Sequence, residues 1–585
     1  MLSQEGRLLQ GQDGTARRIA VRQTVERVID VRIAIGYGAS SPDIAVGILA
    51  MVATRIQEPT GLLAGGLHIR ASGELAGYDP VAVTGVGRPS APWSPKSMQQ
   101  ERVRVCVLDL GTSVIKAAMV DAVGSLQALQ TRPAPPVDPD SGRFDGRRYA
   151  RETIELLGQL VHAAPGEVAA LSISSQRATV LALDPAHEPL APACSWMGAR
   201  CTPSAMSFYG AHGLDRYRSI TGLLPSPLYA IAKLAAGELP PPSQVTTYTD
   251  LQAYLLCELG ATRPVIDPSN ASAMGLLELE RPRWSEALCG ALDIPLHALP
   301  TVTPAGTAVG KLSPRAARAT GLEAGTPLIL GGGDQQCAVL GSGCFEPGDL
   351  ALSLGTAAAL AGPVVRAPSP PPLGLLAGHH VVPDQWFVEG FVPTFGAAAA
   401  WAAEALGLQR VESLAQKAAE ARDSGGVYFV PSLAGSGSPD FDGTIRASWL
   451  GISVATTQAQ LALAALEGLA CELARVAHCF AEVAPLGQLR VVGGGSRADL
   501  QVQLIANILA VDLALCDCSE AALLGAAALA WVGAGRHKRV IAAAFAVGAH
   551  QAACLEAAED PERDARQRRY GAALAAVRAF ARGSA

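Results

Sequence analysis

One carboxylate stands out in the segment LILGGGDQQCAVLGSG, residues 328–343. The apolar run 328–330 is typical of a short buried strand, and three glycines separate it from Asp334. Such glycines let the backbone either turn or pass close to another group. Asp334 is therefore either a turn residue with a structural role or a base held where a substrate can reach it.

A second carboxylate precedes a short turn in VCVLDLGTSVIKAAMV, residues 105–120. A strand ends near Asp109, and Gly111, Thr112 and Ser113 then turn the chain ahead of Lys116. Small hydroxylated residues after a strand expose backbone N–H groups that can bind phosphate oxygens. A carboxylate beside such a turn suits Mg²⁺, which prefers a few carboxylates together with water and phosphate oxygens. The alternative is an ordinary hairpin without a ligand.

Two further glycine turns occur later in the chain. In LALSLGTAAAL (350–360), Gly355 and Thr356 repeat the strand-Gly-Thr arrangement of the first turn. In VVGGGSRADLQVQLIANIL (491–509), a strand runs into three glycines and then a helix, so that a flat ligand can approach the backbone closely. Neither the Walker A nor the Rossmann glycine motif is present in the sequence. Each turn, taken alone, is also compatible with a simple connection between elements.

Strands and helices alternate around these motifs. The apolar runs 103–110, 115–121 and 489–492 predict buried strands, and the Ala/Leu-rich segment 458–480 predicts a long helix with an apolar stripe. Alternation of this kind predicts an α/β protein.

Composition narrows the class of protein. The 585 residues are 49% hydrophobic and 17% charged, which is typical of a globular chain; its length suggests roughly two to four domains. The net charge of -6 argues against a nucleic-acid or anionic-membrane partner. No apolar run reaches the roughly 18 residues of a membrane span. The 12 cysteines lack the paired spacing of a zinc site, which favours free buried thiols in a reducing cytoplasm.

Residues 1–97 differ in character from the rest of the chain. They contain an arginine-rich stretch and a Gly/Pro/Ser-rich segment, without a motif that suggests chemistry. The pattern typical of a domain's first strand begins only after Met98, in MQQERVRVCVLDLGTS. We therefore expect residues 1–97 to be a disordered extension or a misassigned start.

Taken together and in order, the motifs resemble the FGGY family of carbohydrate kinases, within the actin-like ATPase superfamily. The similarity runs from about Val103 to about Gly535 and includes ASWLGISVATTQAQLALAALEG (447–468), which is similar to the family's C-terminal signature. The resemblance implies an α/β fold with two RNase H-like domains flanking a catalytic cleft. It implies that residues 98–347 hold the substrate and the base, and that residues 348–585 hold the nucleotide and a helical tail.

The resemblance also implies a role for each motif. Asp334 corresponds to the catalytic base, and Asp109 to the residue that organises Mg²⁺. The positions that correspond to ATP-binding residues are Gly111, Thr112, Ser113, Lys116, Gly355, Thr356, Gly494, Gly495, Ser496, Gln503 and Asn507. The positions that correspond to substrate contacts are Gln176, Arg177, Trp196, Asp334 and Gln335.

The chain departs from the family pattern where the substrate is selected. Ala178 stands where glycerol kinases have an acid, and Gly198 stands where the family often has one. Leu228 takes the place of an aromatic residue, although Tyr229 is its neighbour. We therefore expect catalysis to be retained and substrate choice to be altered.

These observations predict an ATP-dependent kinase in the cytoplasm that phosphorylates a hydroxyl group of a small sugar or polyol. Asp334 would accept the hydroxyl proton. Two lobes that close over a hinge are expected, because water would otherwise compete as acceptor. A homodimer is compatible with this prediction. Two alternatives stay open: specifically a glycerol kinase or xylulokinase, or a non-catalytic member of the family that binds ATP or sugar.

Overall fold

The computed structural model describes residues 21–23, 29–31, 103–198, 202–368, 373–492, 499–516, 518, 520–548 and 551–583. The chain divides into two compact units, Met1–Met98 and Gln99–Ala585. In the first unit, β1 (Val21–Gln23) pairs antiparallel with β2 (Ile29–Val31). The expectation of a disordered extension or a misassigned start concerns residues that otherwise lie outside the described part of the chain.

Within the second unit, residues 103–348 form what we call the first lobe. Its strands are β3 (Arg104–Leu110), β4 (Val114–Val120), β5 (Leu126–Pro133), β6 (Arg143–Phe144), β7 (Val168–Ser175), β8 (Leu181–Leu183), β9 (Ala193–Cys194), β10 (Thr247–Thr249), β11 (Val265–Ile266), β12 (Thr301–Val302), β13 (Ala308–Lys311) and β14 (Pro327–Gly333). Its helices are α1 (Gly146–Ala163), α2 (Thr202–His212), α3 (Leu214–Thr221), α4 (Ala230–Ala235), α5 (Leu251–Leu259), α6 (Pro268–Ala273), α7 (Glu286–Gly290), α8 (Pro314–Thr320) and α9 (Asp334–Gly341). Single 3₁₀ turns lie at Pro242–Gln244 and Leu296–Ala298.

The main sheet of the first lobe has the strand order β13-β14-β7-β3-β4-β5 among the described residues. β3 pairs with β7 in parallel and with β4 in a hairpin, and β14 joins the parallel side through β7. β3 is almost continuously buried, which explains its uniformly apolar sequence. The predicted strands at 103–110 and 115–121 are confirmed within one residue at each end.

Residues 350–583 form what we call the second lobe. Its strands are β15 (Leu350–Leu354), β16 (Ala358–Val364), β17 (Leu376–His379), β18 (Trp386–Val392), β19 (Tyr428–Val430), β20 (Ser448–Leu450), β21 (Leu489–Val492), β22 (Leu513–Cys516) and β23 (Gln551–Leu555). Its helices are α10 (Phe395–Ala405), α11 (Glu412–Ala418), α12 (Gln458–Ala481), α13 (Asp499–Leu509), α14 (Ala521–Gly533), α15 (Val540–Val547) and α16 (Arg563–Gly583).

The sheet of the second lobe has the order β17-β18-β16-β15-β21-β22-β23 in the described residues. It repeats the first plan: β15 forms a hairpin with β16 and pairs in parallel with β21. The predicted strand 489–492 and the predicted helix 458–480 are confirmed, the helix ending one residue later. A capping box starts that helix, since the Thr457 hydroxyl accepts from the Gln460 N–H and the Gln460 side chain accepts from the Thr457 N–H.

One helix of the second lobe returns to the first. α14 packs against β3, β7 and β14 and crosses α9. The crossing is close, because a Cβ atom on Gly525 would collide with the Cys337 carbonyl group. The Trp531 indole N–H also donates to the carbonyl oxygen of Asp121 at 3.1 Å. Residues of the two lobes therefore form part of one hydrophobic core.

Several smaller expectations can be compared with the structure. Cys106, Cys337 and Cys344 are buried, whereas Cys554 is exposed, so the expectation of buried thiols holds for most but not all of the cysteines described. In the described part of the chain, no helix has both the length and the apolar character needed to cross a membrane.

Candidate active site

Asp334 begins helix α9 directly after strand β14. The sequence allowed its three glycines either to turn or to approach a neighbour, and the structure shows the second: residues 331–333 continue the strand. A Cβ atom on Gly331 would collide with the Ile173 carbonyl group of β7, and one on Gly333 would lie 2.8 Å from Cδ of Arg177. Glycine is thus required here for close approach of strands and of the arginine side chain, rather than for a turn.

A buried hydrogen-bond network holds the backbone just before Asp334. The Gly333 N–H donates to the Ser269 hydroxyl at 2.9 Å, and that hydroxyl donates to the Asp267 carboxylate in a short hydrogen bond. Asp267 also caps helix α6 through the Ser269 and Asn270 N–H groups. Burial raises the pKa of Asp267 to about 6, although these donors lower it.

The carboxylate of Asp334 faces an open space and is partly exposed. Its side chain is 32% exposed, and Oδ1 accepts from the Gln335 N–H at 2.8 Å. Burial raises the pKa of Asp334, whereas the Arg177 guanidinium and the Gln335 N–H lower it, and the charge on Glu389 raises it again. The net rise gives a carboxylate more basic than an exposed aspartate, which suits a group that must accept a proton.

Arg177 lies between two carboxylates. Its Nη1 and Nη2 donate to Oε1 and Oε2 of Glu389 at 2.7 and 2.8 Å, in a bidentate pair. Its Nε lies 3.5 Å from Oδ1 of Asp334. The guanidinium also lies over the Phe387 ring, 5.9 Å from the ring centroid. Because Arg177 belongs to the first lobe while Glu389 and Phe387 belong to β18, this arginine joins the lobes at the site.

The turn between β3 and β4 carries the second predicted carboxylate. Asp109 accepts from the Ser174 hydroxyl at 3.0 Å. Burial raises the pKa of Asp109 to about 7, and the nearby charge of Asp334 adds to the rise, while Ser174 and Lys116 lower it. In the turn, the Thr112 hydroxyl donates to Oε1 of Gln176 and accepts from the Trp196 indole N–H, both at 2.8 Å.

Two of the predicted ligand contacts, Gln176 and Lys116, have side chains that are bonded to other protein groups. Gln176 is only 2% exposed and supports Thr112 from behind, and it is not among the described residues that line the cavity. Lys116 pairs with Glu520 at 2.7 Å, at the start of α14. Gly111 accepts from the Tyr149 hydroxyl through its carbonyl oxygen at 2.8 Å, and Ser113 is exposed in the same turn.

The turn between β15 and β16 lies on the opposite side of the cavity. The Gly355 N–H donates to the Ala357 carbonyl at 3.0 Å, which closes a tight hairpin, and Gly355 and Thr356 are exposed. Ser353 and Ala357 line the same cavity as Thr112 and Asp334. The structure therefore brings Thr112 of the first turn and the two residues that flank Gly355-Thr356 to one cavity.

The third glycine cluster, including Gly494, Gly495 and Ser496, lies outside the described residues. The helix after it, α13, carries Gln503 and Asn507 one turn apart. The Gln503 amide donates to Oδ1 of Asn507 at 2.8 Å and to the Glu556 carbonyl at 3.0 Å. These two amides therefore form one polar group beside the 556–558 segment.

The cavity between the lobes has a volume of about 370 Å³. Trp196 and Gln335, both predicted to contact substrate, line it together with Asp334 and Arg177. Two of the departures noted in the sequence, Ala178 and Leu228, line it as well, and so does Tyr229, whereas Gly198 is not among the described lining residues. The larger apolar side chains of its wall are Leu223, Leu228, Leu376, Phe387 and Phe391.

Sequence reasoning missed Glu389 and Glu520. A signal for Glu389 does exist, since it is the single charged residue in the strand WFVEGFV. Alternation places Phe387, Glu389 and Phe391 on one face of β18, and all three line the cavity. What the sequence did not reveal is that this face meets Arg177, 212 positions earlier in the chain.

The residues near Asp109 fit a magnesium ion that is held mainly by other ligands. Among the described residues, no group of three or more His, Cys, Asp or Glu side chains could hold a metal ion. Asp109 offers a buried carboxylate that accepts from Ser174, and burial, with the nearby charge of Asp334, raises its pKa. One carboxylate with phosphate oxygens and water is a donor set that Mg²⁺ accepts.

Comparison with known proteins identifies the family of this chain. The family models described as the N-terminal and C-terminal domains of the FGGY family of carbohydrate kinases match residues 104–341 and 350–534. A glycerol kinase of Bordetella parapertussis is 30% identical over 460 residues, covering 74% of this chain and 89% of that protein. An apulose kinase of Pectobacterium atrosepticum is 30% identical over 459 residues, covering 75% and 92%.

A solved structure shares the fold. The crystal structure of a gluconate kinase from Lactobacillus acidophilus matches with a TM-score of 0.76 at 21% identity, over 82% of this chain and 98% of that one. Together with the two matched family models, which span most of the chain, this likeness confirms the predicted α/β architecture with two actin-like domains. The chain belongs to the FGGY family of carbohydrate kinases.

Proposed function

We propose that this chain transfers the γ-phosphoryl group of ATP to a hydroxyl group of a small sugar or polyol, with Asp334 as the base. The observation that carries the proposal is the position of Asp334. Its carboxylate, with a raised pKa, opens into a cavity that is lined by Thr112 of the first Gly-Thr turn and by Ser353 and Ala357, which flank the second. Membership of a carbohydrate kinase family supports the same reaction.

In this reaction the acceptor hydroxyl loses its proton to Asp334 as its oxygen bonds to the γ-phosphorus. The bond from that phosphorus to the β–γ bridging oxygen breaks, and ADP leaves with the electron pair. An alcohol is a poor nucleophile, so a base within hydrogen-bond reach lowers the barrier. Arg177 keeps two N–H groups beyond those that face Glu389 and Asp334, and these can orient the acceptor hydroxyls.

The two turns would hold the nucleotide phosphates. The N–H groups of Gly111 and Gly355 close the turns by donating to the carbonyl oxygens of Val114 and Ala357 at 3.1 and 3.0 Å. The following N–H groups, at Thr112, Ser113 and Thr356, are the donors that such turns would present to phosphate oxygens. Asp109 would hold Mg²⁺ with phosphate oxygens and water, and the ion, when bound, neutralises charge on the transferring phosphoryl group. Gln503 and Asn507, on the helix after the third glycine cluster, remain proposed adenosine contacts, as do Gly494, Gly495 and Ser496.

The acceptor is expected to differ from glycerol. Ala178 and Leu228 line the cavity where an acid and an aromatic side chain were expected for glycerol. The space is also larger than a three-carbon polyol requires, at about 370 Å³. We therefore favour a ketose or a sugar alcohol of four or more carbons.

The proposal is tested by ADP release from the full chain with ATP, Mg²⁺ and a panel of C3–C7 polyols and ketoses. The Asp334→Asn variant should lose about 100–10,000-fold in kcat with the best acceptor. Asp384→Asn, an isosteric change in an exposed turn, is the matched control and should keep wild-type activity. Absence of acceptor-stimulated ADP release across the panel would contradict the kinase reaction, and full activity of Asp334→Asn would remove this residue from the role of base.

A further inference from the structure

The acceptor side of the cavity is completed by one face of β18 in the second lobe. Phe387, Glu389 and Phe391 alternate along this strand and all line the cavity. The side chain of Glu389 is 15% exposed, so it is partly open to a ligand. A carboxylate therefore stands in the wall opposite Asp334, on a residue that belongs to the other lobe.

Glu389 is already paired with Arg177, the guanidinium that an acceptor with a carboxylate group would need as its partner. Two N–H groups of Arg177 are committed to Glu389 at 2.7 and 2.8 Å, and its Nε faces Asp334 at 3.5 Å. A substrate carboxylate could bind Arg177 in a bidentate manner only by displacing Glu389. It would then lie beside two carboxylates.

The charged side chains that line the cavity also disfavour an acidic acceptor. Arg177, Asp334 and Glu389 are the charged side chains among the described residues that line the cavity. One guanidinium and two carboxylates leave one negative charge, and like charges at short range in a partly buried site repel strongly. Ala178, where an acid was expected, adds no carboxylate of its own.

We propose that Glu389 is the specificity-determining residue of the acceptor site: it selects an uncharged polyol or ketose against the corresponding sugar acid, and it accepts a hydrogen bond from a substrate hydroxyl in place of the acid that is missing at Ala178. The proposal rests on the proposed function. Glu389 acts in two ways. It holds Arg177 in position, and its carboxylate oxygens keep lone pairs, beyond those that accept from Arg177, which can accept from a substrate hydroxyl.

The test compares matched acceptors that differ in one group, D-glucitol with D-gluconate and D-arabinitol with D-arabinonate. The wild-type chain should show a higher kcat/KM for the neutral member of the more active pair. In Glu389→Gln the cavity loses one negative charge relative to wild type, and Arg177 is released from its ion pair with Glu389. The ratio of kcat/KM for the neutral acceptor to that for the acid should therefore fall roughly 10–100-fold.

Two further variants keep this result interpretable. Glu389→Asp retains the charge at a shorter reach, so the preference for the neutral acceptor should persist while KM rises for both members of the pair. Glu238→Gln breaks an ion pair of similar exposure with Arg143 outside the cavity, and its ratio should equal that of the wild type. A purely structural role of Glu389 would lower both rates together and leave the ratio unchanged.

Binding measured by calorimetry in the absence of ATP separates this inference from the proposed function. If no acceptor stimulates ADP release, the kinase reaction fails, but the affinities for glucitol and gluconate in wild type and Glu389→Gln still decide the charge selection. Weaker gluconate than glucitol binding in the wild type, reduced or reversed in Glu389→Gln, supports the proposal. An unchanged ratio in a folded Glu389→Gln protein, or a wild-type preference for the acid, overturns it.

Discussion

The two Gly-Thr turns have the same backbone plan and different chemistry. Each comes after the central strand of its sheet, closes a hairpin, and opens into the same cavity. The sequences Asp-Leu-Gly-Thr at 109–112 and Ser-Leu-Gly-Thr at 353–356 match position by position, so that Ser353 stands where the first lobe has Asp109. The repeated fold thus supplies the Gly-Thr turn twice, but a carboxylate at the matching position only in the first lobe.

The surroundings of the turns differ as well. The Thr112 hydroxyl is fixed by Gln176 and Trp196, whereas the Thr356 hydroxyl has no hydrogen-bond partner within the described residues. The first turn is also tied to α14 by the pair of Lys116 and Glu520, while the matching position of the second hairpin is the buried Leu360. The first turn is therefore rigid before any ligand arrives, and the second is held mainly by its backbone.

The largest expected difference between the turns concerns their acidic and hydroxyl positions. Asp109→Asn should reduce kcat/KM by about 100–1,000-fold, because the carboxylate that would hold Mg²⁺ is lost. Ser353→Ala should cost less than about tenfold, because it removes one neutral hydroxyl. ADP release at several Mg²⁺ concentrations measures both. Equal losses of kcat/KM in the two variants would show that Asp109 and Ser353 are equivalent, and would contradict the difference between the turns.

The next effect concerns the cation beside the first turn. Lys116→Met should raise KM for ATP roughly tenfold or more, because a charge near the phosphate-binding turn is removed. The matched change in the second hairpin, Leu360→Met, conserves volume and should leave KM for ATP close to that of the wild type. Initial rates at varied ATP provide the measurement. An unchanged KM in Lys116→Met would limit this lysine to its ion pair with Glu520.

A smaller effect concerns rigidity. Thr112→Val removes a hydroxyl that serves both Gln176 and Trp196 and leaves the buried Gln176 oxygen without its donor. The free energy of unfolding should fall by about 1–2 kcal/mol. Thr356→Val, at the exposed matching position, should change it by less than about 0.5 kcal/mol. Denaturation midpoints in urea compare the two variants, and a larger loss for Thr356→Val would reverse the assignment of the rigid turn.

The smallest expected effect is the number of protons released when Mg²⁺ and the nucleotide bind. Burial raises the pKa of Asp109 to about 7, so this carboxyl is partly protonated near neutral pH. Binding of Mg²⁺ with the nucleotide favours the carboxylate, which lowers this pKa, so a fraction of a proton should be released at pH 7. Calorimetric titrations in buffers of different ionisation enthalpy measure the number. Ser353→Ala should release the same amount and Asp109→Asn close to none; equal release from Asp109→Asn would assign the proton to another group.

The sequence predicted the parts of the site that lie within single motifs. The strand before Asp334, both Gly-Thr turns and the long helix at 458–480 follow from local patterns of apolar residues and glycines, and the structure has them at those positions. The family resemblance supplied their order and hence the two-lobed fold. The conformation of residues 331–333 was left open between a turn and a close approach, because only the neighbouring β7 decides it.

The unpredicted parts depend on distant packing. Glu389 meets Arg177 across 212 positions, and Glu520 meets Lys116 across 404. Gln176 looked like a substrate contact in the sequence, but its side chain turns behind Thr112. No local pattern encodes which face of a strand meets another lobe, so such partners become visible only when both lobes are assembled.

The return of α14 to the first sheet also has a consequence for the synthesis of the chain. The apolar faces of β3 and β14 are covered by residues of α14 such as Leu523, Leu529 and Trp531. A ribosome that adds about 5–20 residues per second needs roughly 20–90 s to travel from β3 to the end of α14. During that interval the nascent first lobe exposes apolar strands without their cover, which makes it a natural client of chaperones. Truncation before residue 521 should accordingly yield an aggregating product rather than a soluble half-enzyme.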